Sequence, residues 1–167
     1  MLIKGKELRY NLLQHVFIIL VFGSVMFRLF GIKDVSELVQ NWLQLPGLPI
    51  ILFGMWLKWS NDQQAINRII YNQLKGKEEL ITTGWYRFSR NPCYLSQAMV
   101  TGGALICLPS AFGALAFMAF LVTANITISV EEKRLQELFG QRYEGYKRVV
   151  GRWFLTPMQL MVLRRVG

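Results

Sequence analysis

Two short polar stretches border the longest uncharged interval of the chain. Arg90, Asn91 and Pro92 stand at its start, and Glu131 and Glu132 follow directly after its end. An arginine beside a helix N-terminus with free backbone N–H groups attracts an anion such as a carboxylate. A pair of carboxylates at a membrane surface attracts a cationic ammonium group. These two stretches are therefore the first candidates for a binding site.

The interval between them predicts a helical hairpin. Residues 91–130 carry no charge, and one bilayer-spanning helix needs about 20 residues, so the interval suits two spans. Leu108-Pro109-Ser110 lies at its middle and predicts the turn. A hairpin returns the chain to its starting side, so we expect both polar stretches on the same membrane face. Together they would complement an amino-acid zwitterion.

Each stretch also has a purely structural interpretation. Asn91 is a favoured N-cap residue, and Pro92 suits the first helical position, where its missing N–H costs nothing. Arginines near a span often extend towards the membrane surface. The two glutamates could pair with Lys133, with Arg134 or with the arginines across the hairpin. Taken alone, the two stretches leave both interpretations open.

The rest of the chain predicts a membrane protein around this hairpin. The composition is 53% hydrophobic with a net charge of +9, and the charges are segregated from the apolar intervals, unlike those of a nucleic-acid binder. Residues 10–27 and 38–57 are also uncharged. We therefore predict an all-α, polytopic membrane protein. It has a single domain, residues 1–167, and a C-terminal cytoplasmic helical tail that first runs on to Gly140. About four transmembrane helices are expected, at residues 11–29, 43–59, 92–108 and 111–131.

Charge distribution predicts the orientation. Residues 1–10, the loop predicted at 60–90 and the segment after Val130 are basic, whereas the loop at 30–42 is not. The positive-inside rule then places both termini, the 60–90 loop and the two polar stretches on the cytoplasmic side. The first apolar segment also resembles a signal peptide, but its long core and the absence of a small-residue cleavage site favour a retained span.

Several chemistries are not expected. Cys93 and Cys107 lie 14 positions apart on one predicted helix and cannot form a disulfide without unfolding it. His15 is the single histidine and lies far from both thiols in the sequence, so no metal site is predicted. No serine-histidine-acid set is possible near the long loop at 60–90, and no glycine-rich phosphate loop of the P-loop or dinucleotide type occurs in the sequence. Gly102-Gly103 is expected to permit close packing of helices.

Two longer motifs carry a resemblance to a known superfamily. The segment GWYRFSRNPCYL (residues 84–95) resembles the G-x-Y-x-x-x-R-[HN]-P-x-Y pattern of the isoprenylcysteine carboxyl methyltransferase and phospholipid methyltransferase superfamily. The segment EEKRLQELFGQRYEGYKRVVGR (residues 131–152) resembles its second signature, a paired glutamate, an F-G, two tyrosines three apart and a basic run. The motifs occur in the same order as in the family.

The resemblance implies a small integral membrane enzyme that uses S-adenosylmethionine. The cofactor would enter from the cytosol, and a lipophilic methyl acceptor would come from the bilayer. Residues 80–152 would form the core of the cofactor site, with backbone contacts from Leu80 and Ile81. The remaining positions that match cofactor-contacting residues of the family are Tyr86, Arg90, Asn91, Pro92, Cys93, Tyr94, Glu131 and Glu132.

The same resemblance bears on catalysis and substrate. Methyl transfer would be an in-line displacement without a metal, and Glu132 is a candidate general base if the acceptor needs one. Prenylcysteine enzymes carry an arginine for the acceptor carboxylate shortly before the acidic pair. The matching position here is near Asn125, which is the candidate substrate residue and argues against a prenylcysteine acceptor. The alternatives are an NADPH-dependent membrane reductase of the sterol-reductase type and a non-catalytic relative that keeps the scaffold.

Overall fold

The structure, a computed structural model, describes residues 5–31, 46–75 and 79–154. Within these ranges the regular structure is entirely helical, which agrees with the predicted all-α class. A short 3-10 helix, Gly84–Arg87, precedes the third α-helix. The five α-helices are α1 (Gly5–Phe30), α2 (Gly47–Lys75), α3 (Pro92–Cys107), α4 (Ala111–Phe139) and α5 (Gln141–Val149).

Helices α3 and α4 form the predicted hairpin. Pro92 opens α3, and the carbonyl of Asn91 accepts the N–H of Leu95 at 3.1 Å. Pro109 ends α3, because the residue before a proline is sterically disfavoured in helical conformation. Ser110 then starts α4, since its hydroxyl accepts the N–H of Gly113 at 3.3 Å.

The end of α4 also agrees with its prediction. The helix continues past Glu131 and Glu132 to Phe139, and Gly140 follows with a φ of 50°. A positive φ of this kind favours glycine, since it has no Cβ atom to clash with the backbone. The chain then turns directly into α5, so the region after the last predicted span is helical through Val149.

The second helix differs from its prediction. Residues 60–90 were expected to form a loop, but α2 continues to Lys75. Neither glycine nor proline occurs between Met55 and Lys75, and the sequence there is rich in good helix formers, so nothing breaks the helix. Phe30, the first residue of the loop predicted at 30–42, is still helical. Residues 32–42 of that loop lie outside the described residues, as do the tail residues 155–167.

The chain forms two compact units, each of which is held together mainly by contacts within itself. The first unit comprises Met1–Met55 and Gln97–Val130, and the second comprises Trp56–Ser96 and Glu131–Gly167. In the first unit, a small core forms where Val25, Ala104 and Leu108 pack against Ile51 and Cys107. A buried hydrogen bond of 2.7 Å from Gln14 to Thr127 adds a polar contact between α1 and α4.

Gly103 permits close helix packing in this unit, as predicted for the glycine pair. A Cβ atom at Gly103 would lie 2.8 Å from Cγ1 of Ile51 and 2.9 Å from the carbonyl oxygen of Gly47. Real Cβ atoms essentially never approach other atoms so closely. The backbones of α2 and α3 can therefore approach each other this closely at Gly103 only because that residue has no side chain. Cys93 and Cys107 are both free thiols on α3, which agrees with the prediction of no disulfide.

The apolar character of the surface fits a membrane environment. Among the described helices, α4 is long and apolar enough to cross a bilayer, and Leu12–Phe27 of α1 is a shorter apolar stretch. Large apolar side chains are exposed along three helices. They include Ile19 and Phe27 on α1, Leu52 and Trp59 on α2, and Leu115 and Met118 on α4. A protein surrounded by water rarely exposes this much apolar surface. The number of spans and their sidedness stay predictions.

Candidate functional site

Tyr86, one of the predicted site residues before α3, lies on the 3-10 helix of the second unit. Gly84 opens this helix with a φ of 66°, which explains why glycine stands at the head of the first motif. The indole N–H of Trp85 donates to the hydroxyl of Ser60 at 2.9 Å, and its ring meets Trp56 edge-on at 5.1 Å. These contacts attach the 3-10 helix to α2 and so position Tyr86, the next residue.

The start of α3 is held by the chain segment that follows α5. The backbone N–H of Arg90 donates to the carbonyl of Gly151 at 2.9 Å. The carbonyl of Arg152 accepts the side-chain amide of Asn91 at 3.1 Å and the hydroxyl of Ser89 at 3.2 Å. Asn91, predicted as a helix cap, thus also carries a tertiary contact, which requires a side chain that can donate a hydrogen bond.

The acidic pair joins the two motifs, and each glutamate has different partners. The hydroxyl of Tyr94 donates to Oε1 of Glu131 at 2.8 Å. The carboxylate of Glu132 lies 3.2 Å from Nη2 of Arg90 and 2.7 Å from Nη2 of Arg152. The arginine across the hairpin is therefore a partner of Glu132, as the structural interpretation expected. Arg152 was not foreseen as the second partner.

Burial makes this ion-pair group sensitive to its geometry. The side chain of Glu132 is 9% exposed and that of Arg90 is 11% exposed, whereas Arg152 is 34% exposed. Oε1 of Glu132 forms no well-aligned hydrogen bond, and Nε and Nη1 of Arg90 are buried without a hydrogen-bond partner. Removing one member of such a buried group leaves a desolvated charge uncompensated, which is costly.

Three tyrosines around the site remain protonated at neutral pH. Burial raises the pKa of Tyr86. Burial, and then the nearby Glu132 carboxylate, raise the pKa of Tyr143 to about 12 against the opposing charges of Arg90 and Arg152. Burial also raises the pKa of Tyr146, whose hydroxyl donates to the backbone carbonyl of Tyr86 at 2.7 Å. These phenols can donate hydrogen bonds but do not act as bases.

The structure brings most of the predicted site residues into the second unit. Leu80 is buried and Ile81 half-buried, in the irregular stretch between α2 and the 3-10 helix. Pro92 is fully buried, and Cys93 is partly buried on the first turn of α3. Asn125 belongs to the first unit, where its side-chain amide donates to the carbonyl of Leu121 at 2.9 Å. The roles assigned to these residues stay predictions.

Sequence reasoning missed the contributions of α2 and of the segment after α5. Asn61, on α2, is 2% exposed, and its Oδ1 atom is buried without a hydrogen-bond partner. Its side chain opposes the rise that burial causes in the pKa of Tyr86. The sequence around Asn61 does not predict its burial, because Lys58, Asn61 and Asp62 are typical of the start of a polar loop. Arg152 had a signal, since it closes the second motif.

A metal centre finds no support in the described part of the chain. No group of three or more histidine, cysteine, aspartate or glutamate side chains there could hold a metal ion. The expectation of a metal-free reaction stays a prediction.

Comparison with known proteins identifies relatives of the chain. Residues 42–142 match the phospholipid methyltransferase family. A protein-S-isoprenylcysteine O-methyltransferase from Xenopus laevis is 29% identical over 115 residues, which cover 66% of this chain. The aligned region spans only 40% of that relative's length. No solved structure matches the chain.

Proposed function

The chain belongs to the phospholipid methyltransferase family, and on that premise we propose that it transfers a methyl group from S-adenosylmethionine to a lipid or lipidated acceptor in the membrane. The observation that carries the proposal is the direct contact between the two motifs. Tyr94 of the first motif binds Glu131 of the second, and Arg90 of the first pairs with Glu132. The family match covers both of these positions in the first motif and both glutamates.

The chemistry of these side chains fits the proposed cofactor. S-adenosylmethionine carries a carboxylate, an ammonium group and a sulfonium cation. Glu131 offers a carboxylate to the cationic groups, and Arg90 with the N-terminus of α3 offers positive charge to the carboxylate. Tyr86, Asn91 and Tyr94 would complete the wall of the site on the α3 side. Leu80 and Ile81 would contribute backbone contacts, and Pro92 and Cys93 the first turn of the helix.

The residues of the site would act by positioning rather than by proton transfer. When bound, S-adenosylmethionine supplies an electrophilic methyl group on a positively charged sulfur. In-line displacement requires aligned reactants and exclusion of water, which rigid, partly buried side chains provide. Both oxygens of Glu132 face guanidinium groups. This supports a structural role for Glu132 over its candidate role as general base.

The acceptor is proposed to be lipophilic and to come from the bilayer. The exposed apolar side chains of α1, α2 and α4 support contact with lipid. The Xenopus relative is named for an isoprenylcysteine substrate, and the family is named for phospholipids. Asn125 stands near the position where prenylcysteine enzymes are expected to have an arginine. Its neutral side chain supports an acceptor other than a prenylcysteine carboxylate.

Transfer of a labelled methyl group tests this proposal directly. The purified full chain is incubated with methyl-labelled S-adenosylmethionine and a total membrane extract of lipid and protein. We expect label in an organic-soluble product, which mass spectrometry then identifies, and at least tenfold less label with Glu131→Gln. Label incorporation no faster than in a reaction without the protein would contradict the proposal.

A further inference from the structure

The segment after α5, residues 150–152, contacts both sides of the candidate site. Its backbone binds the start of α3, because Gly151 accepts from Arg90 and Arg152 accepts from Ser89 and Asn91. The side chain of Arg152 reaches the end of the hairpin, where it donates to Oε2 of Glu132 at 2.7 Å. One residue therefore links the first motif through its carbonyl and the second motif through its guanidinium group.

The position of this segment is fixed by α5. The backbone N–H of Val150 donates to the carbonyl of Tyr146 at 2.9 Å, and Val150 is itself buried. Tyr146 binds the backbone of Tyr86. Tyr143, one turn earlier, is 1% exposed. Because α5 is anchored at several points, Arg152 presents its side chain to Glu132 from a defined backbone position.

Arg152 is the stronger of the two partners of Glu132. Its Nη2 atom forms a hydrogen bond of 2.7 Å, whereas Arg90 lies at 3.2 Å and Oε1 of Glu132 forms no well-aligned hydrogen bond. Without Arg152, Glu132 would keep a single partner and could turn further towards Arg90. The orientation of Arg90, which stands at the start of α3, would then change as well.

We propose that Arg152 is a positioning residue that sets the affinity of the site for S-adenosylmethionine. It does so by fixing the position of Glu132 relative to the start of α3. This inference rests on the proposed function, because it assigns the cofactor to the same site. Arg152 acts through Glu132 and need not touch the cofactor. A small displacement of binding groups strongly lowers the strength of charge-assisted contacts, which depend on distance and alignment.

Substitutions at position 152 isolate the side-chain contact, because every variant keeps the backbone carbonyl. Binding of S-adenosylmethionine to the full chain is measured by isothermal titration calorimetry, together with the thermal midpoint of the ligand-free protein. We expect at least tenfold weaker binding for Arg152→Ala. Arg152→Lys keeps a positive charge near Glu132 and should recover part of this loss. Arg148→Ala is the matched control, because Arg148 is an exposed arginine of α5, and it should bind within twofold of wild type.

A double-mutant cycle tests whether Arg152 acts through Glu132. In the Glu132→Gln background, Arg152→Ala should weaken binding by no more than about twofold further, because its partner has already lost its charge. If the fold-losses in affinity of Glu132→Gln and Arg152→Ala simply multiply in the double variant, the proposal is overturned. Unchanged affinity in Arg152→Ala would overturn it as well. If Arg152→Ala fails to fold, the affinities of Arg152→Lys and Arg152→Gln for S-adenosylmethionine are compared instead. The thermal midpoint of each variant then shows that it is folded at the temperature of the titration.

Hydrogen exchange separates failure of this inference from failure of the proposed function. In Arg152→Ala, the backbone amides of residues 89–91 should exchange at least tenfold faster than in Arg148→Ala, with no ligand present. Unchanged exchange would overturn the positioning role whatever the protein binds. If the wild type does not bind S-adenosylmethionine while the exchange difference is present, the proposed function fails and the structural link through Arg152 stands.

Discussion

Asn91 combines a helix-start role that its sequence predicts with a tertiary contact that the sequence does not reveal. Its carbonyl takes part in the first turn of α3, and its side-chain amide donates to the carbonyl of Arg152. The cap preference of asparagine is local information, readable from residues 91–95. The contact to residue 152 depends on how α5 packs, and no local pattern encodes it.

This contact predicts that aspartate is a poor substitute at position 91. Aspartate suits a helix N-terminus, which is worth about 0.3–1 kcal/mol. However, aspartate cannot donate to the Arg152 carbonyl, which would keep only the hydrogen bond from Ser89, and it sets a carboxylate oxygen against that carbonyl oxygen. The lost hydrogen bond and the repulsion between the two oxygens together cost about 1–3 kcal/mol. The second effect is larger, so Asn91→Asp should lower the thermal midpoint of the ligand-free protein. Asn91→His keeps an N–H donor and should stay closer to wild type.

The outcome for Asn91→Ala calibrates this comparison. Alanine removes the donor but sets no carboxylate against the Arg152 carbonyl, so its midpoint should fall between those of the histidine and aspartate variants. An aspartate variant as stable as wild type would show that capping outweighs the tertiary hydrogen bond.

At the scale of elements, the hairpin was predictable because its signals are local. The uncharged interval, Pro109 and Gly140 specify where α3 and α4 begin and end, and the structure agrees within a few residues. The extension of α2 was missed, because Lys58 and Asp62 suggested a solvated loop. In the structure these two side chains form an i,i+4 ion pair at 2.9 Å on the helix, which stabilises it instead.

The packing of α3 against α2 predicts that Gly103 does not tolerate alanine. The added Cβ atom would meet backbone and side-chain atoms of α2 at 2.8–2.9 Å. Overpacking of this kind costs about 1–3 kcal/mol, so Gly103→Ala should lower the thermal midpoint. Gly145→Ala is the matched control, since nothing lies within 4 Å of its Cβ position and alanine favours a helix. A midpoint for Gly103→Ala at or above that of wild type would contradict the close approach.

The burial of Tyr143 in α5 predicts a loss of stability in alkaline solution. Its pKa is raised from 10.0 to about 12, so the folded state holds the phenolic proton more tightly than the unfolded state. The resulting stabilisation is fully present below pH 10 and is lost as the pH rises from about 10 to about 12. At about 1.4 kcal/mol per pKa unit, the total is roughly 2–3 kcal/mol.

Thermal midpoints of wild type and Tyr143→Phe between pH 8 and pH 11 measure this effect. The phenylalanine variant cannot titrate at this position, so its midpoint should fall less steeply above pH 10. Parallel curves for the two proteins would show that Tyr143 ionises normally in the folded state.

At the scale of the whole molecule, the arrangement in the membrane is a prediction from charge. The basic segments alternate with the less basic ones along the sequence, and α3 and α4 form the helical hairpin on which this arrangement is built. Gly145, in α5, should face the cytoplasm, and Pro109, at the turn between α3 and α4, should face the opposite side of the membrane. Single cysteines at these two positions, in a background without Cys93 and Cys107, can be labelled with a membrane-impermeant reagent.

We expect Gly145→Cys to react only from the cytoplasmic side and Pro109→Cys only from the opposite side. Reaction of both cysteines from the same side would exclude a hairpin that crosses the membrane. Reaction of each from the reverse side would keep the hairpin and invert the orientation.

Binding of S-adenosylmethionine, compared with NADPH, tests the central claim most directly. The full chain, purified in detergent or lipid nanodiscs, is titrated with each compound by isothermal titration calorimetry. The proposed function predicts saturable binding of S-adenosylmethionine with one site per chain, no detectable binding of NADPH, and at least tenfold weaker binding of S-adenosylmethionine by Glu131→Gln. Saturable binding of NADPH alone would instead support a reductase, and binding of neither compound by the folded protein would contradict the account.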